Sequence, residues 1–181
     1  MKKTVFLLSV VCLFALSAFA QTPNFAGEWN LDKAKSKLSE QQAASIESQT
    51  ITIEQTDKEI KATTATKRNA PPAGGQGGGM GGGRGMGGGD GASIYSLDGK
   101  EVVTERETQF GKIPTKTTAK MEDGKLKVTA VTTINTPNGE MTTTTKSTWE
   151  LSADGKTLTV KRESETPRGT QSSESVYTKK S

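Results

Sequence analysis

Six glycines, Gly99, Gly111, Gly124, Gly139, Gly155 and Gly169, recur at intervals of 12 to 16 residues through the second half of the chain. Four of them complete the dipeptides Asp98-Gly99, Asp123-Gly124, Asn138-Gly139 and Asp154-Gly155, which tolerate positive φ and close tight hairpins. The stretches between them are rich in Val, Ile and Thr, residues that suit a pleated surface. Each interval therefore holds one strand and one turn, the pattern of an all-β, antiparallel up-and-down meander. The reading gives about ten strands, near 25–31, 48–56, 59–67, 92–98, 100–109, 113–121, 125–135, 140–151, 156–165 and 170–179. Between the first two, residues 32–48 contain good helix formers but few apolar ones, so any helix there is short and lightly packed at the flank of the sheet.

Alternation along the strands assigns their faces. Leu126, Val128, Ala130 and Ile134 share one parity, as do Met141, Trp149 and Leu151, and Leu158 and Val160; these point inward. The same parity carries Thr115, Thr117, Thr132, Thr143 and Thr145, so the interior is only partly apolar. A ten-stranded sheet has two exposed edges unless it closes, and closure into a barrel is the simplest way to remove them. An open, curled sheet or a sandwich is the alternative.

Thirteen of the twenty glycines crowd between Ala73 and Gly91, a composition expected of a flexible, low-complexity loop inserted in the barrel. Trivial matches to a dinucleotide fingerprint occur inside it and carry no weight, because neither a buried strand before it nor a helix after it accompanies them. Met80 and Met86 around Arg84 offer two thioethers without a histidine, too little for a copper site.

The N-terminus reads as a secretory signal. Lys2 and Lys3 precede an apolar run from Val5 to Phe19 and the small-x-small pattern Ala18-Phe19-Ala20, with cleavage expected before Gln21. The run is shorter than the roughly 20 residues a spanning helix needs, so no transmembrane segment is expected after cleavage. Val11 before the single cysteine, Cys12, is not the small residue that lipid attachment requires. An exported protein follows, periplasmic or extracellular, with one domain over residues 21–181.

Cleavage removes Cys12, and the chain contains no histidine. Disulfides, cysteine nucleophiles, histidine triads and the usual zinc and copper sites lose their parts, and no cofactor or metal is expected. Loss of Lys2 and Lys3 brings the 24 basic residues to 22 against 20 acidic ones, a near balance that argues against nucleic acid as a partner. The paired carboxylates Glu105/Glu107 and Glu163/Glu165 fall on the outward parity or near a strand end, where solvated surface is the expected role. An enzyme is not expected. Arg106 and Arg162, by contrast, fall on the inward parity, in VVTER and LTVKR, and Tyr177 follows on the same face of the last strand. An inward guanidinium is costly unless water, a rim position or an anionic ligand accommodates it.

Phe25-Ala-Gly-Glu-Trp29-Asn-Leu31 resembles the Phe-x-Gly-x-Trp-x-Leu opening of fatty-acid-binding proteins and the Gly-x-Trp signature of lipocalins, and Val176-Tyr177-Thr-Lys179 resembles the x-Tyr-x-Lys close of the former. The longer opening FAGEWNLDKAKSKL is also similar to that of small secreted bacterial lipocalin-like proteins. The resemblance implies a calycin-like barrel whose closed end is plugged by Trp29, with Gly27 permitting close packing. Together with the inward arginines it supports a small amphipathic or hydrophobic ligand held by Arg106, Arg162 and Tyr177 at the polar end. Fatty-acid-binding proteins carry an arginine two residues before the closing tyrosine; this chain has Ser175 there, which leaves Arg162 as the other half of a carboxylate clamp. Two functions remain open: a ligand-binding barrel, and a cell-envelope interaction or structural module with a filled core.

Overall fold

A computed structural model describes residues 22–69, 91–108, 111–136, 139–167 and 169–181. The expected signal sequence and nearly all of the glycine-rich run lie outside the described residues. The ten expected strands are present, as β1 (Gly27–Leu31), β2 (Ile46–Gln55), β3 (Glu59–Arg68), β4 (Gly91–Ser96), β5 (Val102–Thr108), β6 (Gly111–Glu122), β7 (Lys125–Thr136), β8 (Gly139–Leu151), β9 (Thr157–Thr166) and β10 (Gly169–Lys179). Among the described residues one helix, α1 (Glu40–Ser45), interrupts the meander. It buries no residue, and its order is local: Ser39 Oγ accepts from Gln42 N while Gln42 Oε1 accepts from Ser39 N, a capping box.

The strands form one antiparallel sheet in the order β4-β3-β2-β1-β10-β9-β8-β7-β6-β5. The first and last strands pair, with Trp29 opposite Lys179 and Leu31 opposite Tyr177, so the ends of the meander join. The remaining edges, β4 and β5, are consecutive in the chain and share no ladder. The barrel is thus nearly closed, with a seam between β4 and β5 where the sequence reading expected full closure. These are short strands, of 6 and 7 residues, in a barrel whose longest strand has 13.

The Asp-Gly turns behave as their chemistry requires. Asp123 and Gly124 take φ of 52° and 70°, the pair of positive values that lets a two-residue turn join twisted strands, and Glu122 pairs with Lys125 across it. Ser96-Leu-Asp98-Gly-Lys100 and Ser152-Ala-Asp154-Gly-Lys156 repeat another solution. In each, the aspartate Oδ1 accepts from the serine hydroxyl and from the lysine backbone N–H, supplying the hydrogen bonds that a strand partner would otherwise make.

These turns ring the closed end. Its floor is a cluster containing Phe25, Trp29, Ile53, Ile60, Leu126, Trp149 and Leu158, all at most 4% exposed. Trp29 Nε1 donates to the Phe25 carbonyl at 2.9 Å, satisfying the one polar atom that the ring would bury. Phe25 and Tyr95 each meet Trp149 edge-on, at 6.3 Å and 5.6 Å between ring centroids. Gln55 holds the strap before β1, accepting from Phe25 N and donating to the Pro23 carbonyl.

Inward parity is as the alternation predicts through the middle of the barrel, where Leu126, Val128, Trp149, Leu158 and Val160 are buried. Met141 is the exception at 36% exposure: it pairs with Ile134 beside the β7–β8 connection, at the open rim, where the interior meets solvent. Carboxylates of the long strands pair on the outer face, as in Glu165 with Lys146 and Glu174 with Lys37. Among the described residues no helix is long and apolar enough to cross a membrane.

Candidate functional site

Above the floor the interior changes character. Val160 is the last apolar inward residue of β9, and the next inward position is Arg162. Register puts Ser147 of β8 and Ser173 of β10 directly opposite Arg162, one on each side, and residues directly opposite share a face. Ser175 and Tyr177 follow on β10, opposite Val160 and Leu158. The Arg162 side chain is half-buried and its Nε is out of contact with water.

Two tyrosine hydroxyls share this space. Burial pushes the Tyr177 hydroxyl above its ordinary pKa, and the positive charge of Arg162 and a hydrogen bond with Ser175 oppose that rise. Burial likewise raises Tyr95, against a hydrogen bond with Ser93 and the same Arg162 charge. One guanidinium therefore acts on hydroxyls from β4 and β10, on strands well separated in the sheet. Tyr177 also donates to Gln49 Oε1 at 2.7 Å, and Gln49 Nε2 donates to Thr66 Oγ1 at 2.9 Å, which fixes the amide by both ends. Toward the rim, hydroxyls pair with one another: Thr115 with Thr132 at 2.6 Å, and Thr145 with Ser164 at 3.1 Å.

Arg162 and Tyr177 thus lie on adjacent strands with their inward positions two steps apart, Tyr177 opposite Leu158. Trp29 lies in the floor, fully buried, with the Lys179 ammonium 5.3 Å from its ring centroid. Arg106 is on β5, in register with the buried Ile113 of β6, and its side chain lies outside the described residues. Tyr95, Gln49 and Ser93 were not anticipated. Tyr95 was legible in principle, since Ser93, Tyr95 and Leu97 alternate with Ile94 and Ser96. The burial of Gln49 follows from the bond to Tyr177, 128 residues away, which no local pattern signals.

A groove of about 930 Å³ also lies outside the floor, lined by the strap and turn residues Pro23, Gln55, Asp57, Leu97, Leu151 and Gly155. It is formed largely by turns of the closed end. Among the described residues no cluster of carboxylates suited to a metal ion occurs.

No protein-family model matches the chain, and no curated protein matches it. Among solved structures it is similar to the zebrafish ileal bile acid-binding protein complexed with cholic acid, at 20% identity over 86% of this chain and 98% of that one, with a TM-score of 0.48. Human cRBP IV gives 10% identity over 87% and 99%, with a TM-score of 0.44. The fatty-acid-binding protein isolated from Manduca sexta gives 12% identity over 86% and 99%, with a TM-score of 0.41.

Proposed function

We propose that this chain is an exported, non-enzymatic binding protein that holds a small amphipathic ligand inside the barrel, its anionic group at Arg162 and its apolar part toward the floor. The observation that carries the reading is the position of Arg162: an inward guanidinium whose charge acts on the buried hydroxyls of Tyr95 and Tyr177, one inward step above apolar Val160, which pairs with Trp149. A planar, permanently charged fork of donors is suited to bidentate recognition of a carboxylate, and partial removal from water strengthens that recognition. Export is supported by the basic start, the apolar run and the Ala18-Phe19-Ala20 pattern.

One observation favours the second reading, an envelope interaction module with a filled core. Thr132 and Thr145 are 1% and 4% exposed and paired to their neighbours, so that part of the interior is occupied by its own side chains. Native mass spectrometry of the protein purified from its own envelope separates the two. A discrete small-molecule increment over the denatured mass is expected for the carrier. A native mass equal to the denatured one, unchanged on titration with carboxylate amphiphiles, would favour the filled module.

A further inference from the structure

The residues around the guanidinium bear on what kind of anion enters. Five serines occupy inward positions near Arg162: Ser147 and Ser173 directly opposite it, Ser175 and Ser164 one inward step along their strands, and Ser93 beside Tyr95. All five are half-buried rather than sealed. Their side chains are short, and each hydroxyl both donates and accepts. The hydrophobic surface that would receive a long alkyl chain lies below, packed into the floor at 0–7% exposure. Ser164, Ser175 and Ser93 already bond to Thr145, Tyr177 and Tyr95, so an alkyl chain laid across the belt would strip solvent chiefly from the Ser147 and Ser173 hydroxyls that flank Arg162, at a cost for each.

Resting on the carrier reading, we infer that the ligand is a hydroxylated carboxylic acid of the sugar-acid type rather than a simple fatty acid. The carboxylate pairs with Arg162, the ligand hydroxyls exchange hydrogen bonds with the serine belt, and the apolar substituent points to Trp149 and Tyr95. A site built to hydrogen-bond hydroxyls discriminates against analogues lacking them, because its own polar groups are then left unmatched.

Three probes of similar apolar length test this by calorimetric titration of the mature protein: octyl glucuronide, octyl glucoside and decanoate. Octyl glucuronide is expected to bind at least about tenfold more tightly than either of the others, a factor set by roughly one or two net hydrogen bonds or one ion pair. Ser147→Ala with Ser173→Ala should weaken the glucuronide several-fold and leave decanoate unchanged, and a thermal melt of the variant verifies its fold. Decanoate binding as tightly as the glucuronide would overturn the inference while leaving the carrier reading in place. Equal binding of glucuronide and glucoside would remove the carboxylate from it. Absence of saturable binding by all three would sink the inference and the carrier reading together.

Discussion

The Tyr177 hydroxyl donates to Gln49 Oε1 at 2.7 Å, joining the last strand to β2 across the intervening β1. Both side chains are buried, at 4% and 7% exposure. Gln49 is held in turn by Thr66 of β3, so one polar line runs across four adjacent strands where the chain's two ends meet. Backbone pairing between β1 and β10 is short, and this line reinforces it.

Removing one partner of a buried hydrogen bond leaves the other unsatisfied, at about 1–3 kcal/mol. Tyr177→Phe should therefore lower the unfolding free energy by that amount in urea melts. Gln49→Leu should cost a similar amount, and the double variant less than the sum, with a coupling of about 0.5–3 kcal/mol for residues in direct contact. Strict additivity would mean that the bond is absent in solution.

The chain has only two tyrosines, Tyr95 and Tyr177, and both hydroxyls are raised above their ordinary pKa by burial. In the unfolded chain they ionise near pH 10, while the folded barrel still holds their protons. Above pH 10 the unfolded state therefore binds fewer protons than the native one, and stability falls as pH rises. The fall is absent below the unfolded pKa and ends only above the folded values. Its slope reaches about 1.4 kcal/mol per pH unit for each tyrosine. Absorbance of tyrosinate against pH is the measurement, and it should rise late and together with loss of fold. Ionisation of either tyrosine at pH 10 with the circular dichroism intact would contradict their burial.

Gly27 takes φ of +136°, and a Cβ there would lie 2.8 Å from Lys179 Cε on the paired strand. Gly27→Ala meets two obstacles of different kinds. The lysine end is flexible and can swing away, although it gives up its position over Trp29. The backbone angle cannot be changed without disturbing the strand, a strain of about 1–3 kcal/mol. Gly27→Ala should therefore lower the melting temperature, and adding Lys179→Ala should recover only a small part of the loss. Complete recovery would assign the whole effect to the contact.

The strand count and the inward faces were legible because both rest on local signals: turn dipeptides at fixed positions, and a period of two between them. Val128, Trp149 and Val160 fall inward for that reason alone. The seam between β4 and β5 was not legible, since it depends on a ladder that fails to form between elements whose own sequences read as ordinary strands. Arg162 and Tyr177 were found by parity, yet their grouping with Tyr95 was not. That grouping depends on which strands face one another across the barrel, which alternation along one strand does not encode. Gln49 marks the same boundary, a polar side chain buried by a partner remote in sequence.

Arg162 separates binding from stability. Methionine has a comparable apolar stem, so Arg162→Met fills a similar volume on the inward face while removing the charge and its desolvation cost. The melting temperature should stay level or rise. A carboxylate ligand, however, loses a charge-assisted hydrogen-bonding partner, and its affinity should fall by about 1.5–3 kcal/mol, roughly 10- to 150-fold. Titration of a fluorescent carboxylate amphiphile into both proteins, with thermal melts alongside, reads the two quantities independently. A fall in both would mean that Arg162 supports the fold through hydrogen bonds to the barrel wall. Equal affinities with unchanged melts would place the anion elsewhere in the interior, and the carboxylate clamp would have to be abandoned.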